Sequence, residues 1–219
     1  MIRPGVDEAW RAFPLSDASE IRTRLGYAPT DIVILYFGSP VPLRGLHTLI
    51  KAFELARRDI RSLKLLVLSR RRRDELLCED AELDCLLSYN ELSQHVKVIS
   101  GYLDRETLVK HVAASDVVAL PFELVPSDAP LSLLETQALG KPIVTTDVAC
   151  LAELVSGGDS YLAQPADPYS LAQALQKASE DRGARSAGSG MISERSAIQS
   201  GIRSWQQMGK EWSQLIQNL

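Results

Sequence analysis

No apolar run in this 219-residue chain reaches the roughly 18 residues needed to cross a membrane. The longest, near Ile32–Phe37 and Val117–Pro121, are strand-sized. The opening MIRPGVDEAW lacks the apolar core of a signal peptide. Cysteine is scarce: Cys78, Cys85 and Cys150 form no CxxC pair. Neither a zinc site nor a disulfide framework is therefore indicated, and a reducing, cytoplasmic setting is expected. Positive charge is not in excess. At a net charge of −4 there is no basic field to draw in nucleic acid, and none is expected as a partner. His47, His95 and His111 stand apart with no metal-ligand spacing, so no metal site is expected. GxSxG, Walker A and HExxH sequences are absent. So is a full GxGxxG, which argues against a dinucleotide dehydrogenase. No internal repeat of fixed period stands out.

What remains is ordinary globular material, 45% hydrophobic and 24% charged. The length suits one large domain or two very small ones. From Asp31 onward, strand and helix patterns alternate. Apolar runs at Ile32–Phe37, Lys64–Ser69, Val96–Ile99, Asp116–Pro121 and Pro142–Thr146 read as buried strands, with a short sixth at Tyr161–Ala163. Between them, Leu46–Arg58, Asp74–Leu87, Arg105–Ala114, Leu131–Leu139, Cys150–Val155 and Pro168–Glu180 read as helices. Gly140 stands where a C-terminal cap belongs. This alternation predicts an α/β fold: a doubly wound, mostly parallel sheet of about six strands with helices on both faces. Arg182–Gly190 (RGARSAGSG) reads as a flexible linker. Met191–Leu219 reads as a helical tail with Trp205, Met208, Trp212, Leu215 and Ile216 on one stripe.

Ligands of such folds bind beyond the carboxyl ends of the strands. After the first strand, Gly38 allows a sharp turn, and Arg44 and Gly45 precede a helix. Backbone N–H groups and one guanidinium there suit a phosphate, although an ordinary turn with a solvated arginine is the commoner outcome. After Pro121, Ser127 or Asp128 can cap the following helix, with Pro130 in its first turn. Exposed N–H groups near Leu131 and Ser132 then make an anion site. Glu135, a turn further in, can reach the same crevice and accept two vicinal hydroxyls, as carboxylates gripping ribose do. Otherwise Ser127 is only a cap and Glu135 faces solvent. Arg70–Arg73 is a run of a kind that is mostly solvated; the alternatives are an anionic lipid surface or an acidic ligand.

The order of these motifs resembles the C-terminal, nucleotide-sugar-binding half of GT-B glycosyltransferases, of the retaining family 4 (group 1) type. The resemblance runs through Pro4-Gly5-Val6-Asp7, Phe37-Gly38-Ser39 to Arg44-Gly45, Val98 to Gly101, and Ser115-Asp116-Val117-Val118-Ala119-Leu120-Pro121. It continues through Leu133-Leu134-Glu135 with Ala138-Leu139-Gly140-Lys141-Pro142-Ile143-Val144, Thr145-Thr146-Asp147 to Val155, and Ser204-Trp205 with Trp212. It covers nearly the whole chain and is most specific from Glu135 to Val144.

The resemblance implies a donor-binding domain over residues 1–181. Arg44 takes the family's basic diphosphate-binding position, beside Gly38 and Ser39. Ala129, Pro130, Leu131, Ser132 and Leu133 supply backbone N–H groups to the diphosphate. Glu135 is the second acid of the family's E-x7-E motif and binds ribose hydroxyls. Gly101, Tyr102 and Leu103 face the base. No metal or other cofactor is implied; the donor is a UDP-, GDP- or ADP-sugar. The acceptor stays open between a sugar and a lipid, so association with a membrane surface stays open too. Turnover is expected to need an N-terminal acceptor domain, or a partner chain.

This sequence departs from the family at Ser127, where the first acid of E-x7-E falls, and at Ser39, where a first phosphate-binding arginine stands. Asp128 beside Ser127 is a candidate substitute, whereas Glu123 lies too far upstream. Loss of the cation at Ser39 is worth about 2–3 kcal/mol if nothing replaces it. These departures motivate a second reading, a non-catalytic binding or scaffold module with a degenerate donor site. A sugar-nucleotide epimerase on the same scaffold ranks third.

Overall fold

The computed structural model describes residues 4–11, 18–70, 91–125, 129–156, 159–187 and 202–217. Its strands are β1 (Ile32–Gly38), β2 (Leu63–Ser69), β3 (Val96–Ser100), β4 (Val117–Leu120), β5 (Ile143–Thr146) and β6 (Ser160–Ala163). They form one sheet in the order β3-β2-β1-β4-β5-β6, every neighbour parallel. The helices are α1 (Ala18–Arg24), α2 (Leu46–Asp59), α3 (Arg105–Ala114), α4 (Leu131–Ala138), α5 (Leu151–Val155), α6 (Pro168–Ala187) and α7 (Trp205–Gln217). The chain therefore has the α/β doubly wound fold that its sequence predicts. The helix expected at 74–87 lies outside the described residues.

Side chains alternate across each strand, and the alternation builds two cores. Ile34 and Tyr36 of β1, with Leu65 and Val67 of β2, pack under α2 and α6. Val33, Leu35 and Phe37 of β1, with Leu66 and Leu68 of β2, pack under α3, α4 and α5. Continuous apolar runs are the sequence expression of a sheet buried on both faces. The second core also takes Val6, Trp10 and Ile202, so both terminal segments lie on that face. Val6 and Ser204 form a parallel bridge, in which the Val6 amide donates to Arg203 (2.9 Å) and the Trp205 amide to Val6 (3.1 Å). Trp10, at the end of the short 3-10 turn Glu8–Trp10, stacks on Phe37 with ring centroids 6.1 Å apart.

At the amino ends of the strands, Asp116 is the organising group. Its Oδ2 accepts from the Val33 amide (2.7 Å) and from Arg22 (2.9 Å), and its Oδ1 pairs with Arg182 (2.9 Å). Nearby, Lys141 donates to the carbonyls of Ser115 (2.8 Å) and Ala113. Burial pushes its ammonium down to a pKa of about 8.

Two expectations change. α6 continues through residues 182–187, so that part of the expected linker is helical. The α7 helix turns Met208 inward and leaves Trp205, Trp212, Leu215 and Ile216 exposed. Among the described residues no helix is long and apolar enough to cross a membrane.

Gly45 joins the β1 loop to α2 in a left-handed conformation (φ 65°), and an added Cβ would lie 2.0 Å from the Pro121 carbonyl oxygen. Gly45→Ala is expected to cost about 2–4 kcal/mol in urea unfolding. A loss below about 0.5 kcal/mol would show that the two loops are free to separate.

Candidate functional site

The switch in strand order between β1 and β4 sends the chain to opposite faces and opens a crevice at the carboxyl ends of the strands. A cleft of about 560 Å³ lies there. Loops after β1, β2, β3 and β4 line it, together with the N-terminal segment that carries Trp10.

The β1 loop supplies a cation. Gly38 has a φ of 141°, and its missing side chain leaves room for Arg44, whose Nη1 would lie 2.5 Å from a Cβ there. Arg44 sits in the 3-10 turn Pro42–Arg44, its guanidinium 5.6 Å from the centre of the Phe122 ring. The loop is held from two sides. The Ser39 carbonyl accepts from the Tyr36 hydroxyl (2.8 Å), and the Leu43 carbonyl accepts from the amides of Glu123 (2.8 Å) and Leu124 (3.2 Å). The Glu123 carboxylate accepts from Thr48 (2.6 Å), so this acid is engaged by α2 and does not line the cleft.

The second wall is the start of α4. Its N-cap is Pro130, which has no capping side chain. The Pro130 carbonyl takes the amides of Leu133 (3.0 Å) and Leu134 (3.3 Å). The amides of Leu131 and Ser132 meet no acceptor among the described residues. The Ser132 hydroxyl is buried and unpartnered too, in a residue only 8% exposed that lines the cleft. Two amides and a hydroxyl without partners among the described residues, at the positive end of a helix, suit an oxyanion.

Glu135 follows one turn later. Burial raises its carboxyl to a pKa of about 7, against the opposing pull of Arg105 and Arg70; Asp7 adds to the rise. Arg105, in the first turn of α3, pairs with Asp7 at 2.6 Å. Asp7 arrives on the N-terminal segment, where its other oxygen caps Ala9 (3.1 Å). Arg70 follows β2, its amide donating to the Gly38 carbonyl (2.9 Å). On the same side, Gly101 (φ 119°) donates to the Ser69 carbonyl (3.0 Å), which ties the ends of β2 and β3 together. Tyr102 stands exposed at the rim and Leu103 is partly buried.

Gly38, Ser39, Arg44, Gly101, Tyr102, Leu103, Ala129, Pro130, Leu131, Ser132 and Glu135 thus meet around one cleft. Leu133 does not: its side chain is fully buried in the core and its amide is taken by Pro130. Pro130 has no N–H to give. The amide donors expected from residues 129–133 therefore narrow to those ahead of Leu133, without Pro130. Ser127, Asp128 and Arg71–Arg73 lie outside the described residues. Trp10, Ser69 and Arg105 line the cleft without having been singled out from sequence, and Arg70 leaves the run that sequence reads as solvated. Arg70 and Ser69 had a usable signal, their place directly at a strand end. The pairing of Asp7 with Arg105 had none.

Comparison with known proteins adds the following. Residues 31–181 match the family described as glycosyl transferases group 1. A D-inositol 3-phosphate glycosyltransferase of Jonesia denitrificans is 31% identical over 188 residues, which is 83% of this chain and 43% of that protein. The crystal structure of Anabaena Alr3699/HepE in complex with UDP and glucose matches all of this chain and 56% of its own, with a TM-score of 0.79 and 24% identity. The C-terminal domain of a glycosyl transferase group 1 family protein (LpcC) from Francisella tularensis matches 90% of this chain and 96% of its own, with a TM-score of 0.69 and 17% identity. At these identities the two structures show the fold. The chain spans about half the length of the Jonesia and Anabaena proteins.

The raised Glu135 carboxyl has a stability consequence with a definite sign. The folded state holds the proton more tightly than the unfolded chain, so stability is fully present below the ordinary glutamate pKa of 4.5 and declines as pH rises to about 7. Glu135→Gln removes the ionisable group. In urea unfolding it should match the parent near about pH 4 and exceed it by about 2–3 kcal/mol near about pH 8. A constant offset between the two proteins across that range would contradict the raised pKa.

Proposed function

Because the chain belongs to the group 1 glycosyltransferases, we propose that it is the domain that binds the nucleotide-sugar donor and that it serves sugar transfer from a nucleoside-diphosphate sugar to an acceptor. The observation that carries this reading is the convergence of Arg44, the amides of Leu131 and Ser132 that have no partner among the described residues, and Glu135 on one cleft. The donor's diphosphate lies between Arg44 and the start of α4. Each contributes where charge develops as the nucleoside diphosphate leaves: a guanidinium on one side, a helix N-terminus on the other. No metal is needed for that stabilisation. Glu135 accepts from the ribose hydroxyls, which puts its carboxylate form to use on binding.

Transfer proceeds with retention at the anomeric carbon, with the acceptor bound on a second domain or a partner chain. The twofold greater length of the relatives supports that division of labour. Ser39 carries no charge, but Arg70 and Arg105 bring positive charge to the same cleft and offset its lack.

Isothermal titration with UDP, GDP and ADP, with and without magnesium, tests the reading. One or more should bind equally well in the presence of a chelator. Arg44→Ala and Glu135→Ala should each weaken binding by roughly ten- to a hundredfold, the scale of a lost charge-assisted hydrogen bond. Affinity unchanged in both variants would remove the cleft from the donor site and favour the non-catalytic module.

A further inference from the structure

We propose that Ser69 and Arg70 read the donor's nucleobase, and that the hydrogen-bond donors they present select a keto base, uracil or guanine, over adenine or cytosine. This rests on the donor-site reading above. With the diphosphate between Arg44 and α4, and the ribose on Glu135, one part of the nucleotide remains. The strand order runs β1, β2, β3 towards the sheet edge. The base therefore falls against the ends of β2 and β3, where Ser69, Arg70, Gly101, Tyr102 and Leu103 line the cleft.

Ser69 ends β2 and is 1% exposed, yet its hydroxyl has no hydrogen-bond partner. Its carbonyl already accepts from Gly101, so the hydroxyl is the group left over. A buried hydroxyl lining a cleft with no partner is a cost that a ligand can relieve. Arg70 beside it is anchored through its amide to the Gly38 carbonyl, which fixes its backbone. Its guanidinium meets no carboxylate among the described residues at ion-pair distance. It lies close enough to Glu135 to act on its charge.

A guanidinium carries five N–H donors and no acceptor. Guanine offers the adjacent acceptors O6 and N7 to a forked pair of donors, and a single carbonyl oxygen of uracil has two lone pairs that can accept two N–H groups. Adenine and cytosine place an exocyclic amino group on the corresponding edge. Donor then faces donor, and one of them is desolvated without a partner. The discrimination comes from that mismatch rather than from shape.

The test is titration of the full 219-residue chain with UDP, GDP, ADP and CDP, repeated with Ser69→Ala, Arg70→Gln and, as a control, Glu135→Ala. Each variant is first matched to the parent by its thermal unfolding midpoint. The parent should bind UDP or GDP roughly tenfold or more tightly than ADP and CDP, the scale of one forked contact. Arg70→Gln gives the position a carbonyl acceptor. It should shrink that gap to within about threefold, partly by improving ADP or CDP. Ser69→Ala should weaken the keto nucleotides alone.

Equal affinity for ADP or CDP in the parent, still lost in Glu135→Ala, would overturn the base assignment and leave the donor site standing. A keto preference untouched by both Ser69→Ala and Arg70→Gln would also overturn it, by assigning the reading to other groups. Absence of binding by all four nucleotides would overturn the donor-site reading and the base assignment with it.

Discussion

One carboxylate sets the two strands between which the cleft opens. β1 and β4 share a short ladder, Ile34 with Val117 and Leu35 with Val118. The Asp116 amide donates to the Val33 carbonyl at 2.9 Å, and its side chain accepts from the Val33 amide at 2.7 Å. The same carboxylate is neutralised by Arg22 and Arg182, from opposite ends of the chain. A partly buried acid paired on both oxygens is tolerated because each partner arrives, and a lone charge in that position would be costly. The spacing of the β1 loop from the start of α4, at the other end of the strands, follows from this register.

Above that frame, the cleft balances charges rather than accumulating them. Arg44 is spread over an aromatic ring, Arg105 is half-neutralised by Asp7, and Arg70 stands without a carboxylate partner among the described residues. Against them, the acid that lines the cleft among the described residues is Glu135, whose burial favours the protonated form. With its carboxyl raised to a pKa of about 7, Glu135 is only partly ionised near neutrality and opposes an incoming anion less than an ordinary carboxylate would. A ligand rich in hydroxyls and negative charge meets amides, guanidinium groups and a hydroxyl that have few partners of their own.

The sheet was legible because each strand is an apolar run bounded by glycine, proline or polar residues, and the helices between them keep a 3.6-residue stripe. The end of α6 was not legible, since residues 182–187 look like a linker by composition, whereas alanine and arginine propagate a helix already nucleated by the buried Leu171 and Leu175. Glu135 was readable from its place one turn into α4. The fate of Leu133 was not, because a tight first turn that closes its amide onto Pro130 leaves no trace in residue type. Asp7 and Arg105 are 98 residues apart, and they meet because the segment carrying Asp7 is held by the bridge of Val6 to Ser204 and by the burial of Val6 and Trp10 in the second core.

That bridge alters what counts as a dispensable end. Val6 is held by the backbone of residues 203–205, and the next residue is Asp7, the partner of Arg105. Trp10, three residues further on, stacks on Phe37 beneath the cleft. A truncation made after α6, on the view that the sheet and its helices are the working unit, would release Val6 and with it the anchor of both residues. The tail is remote from the cleft in sequence, yet it is the splint on which one wall of the cleft is set.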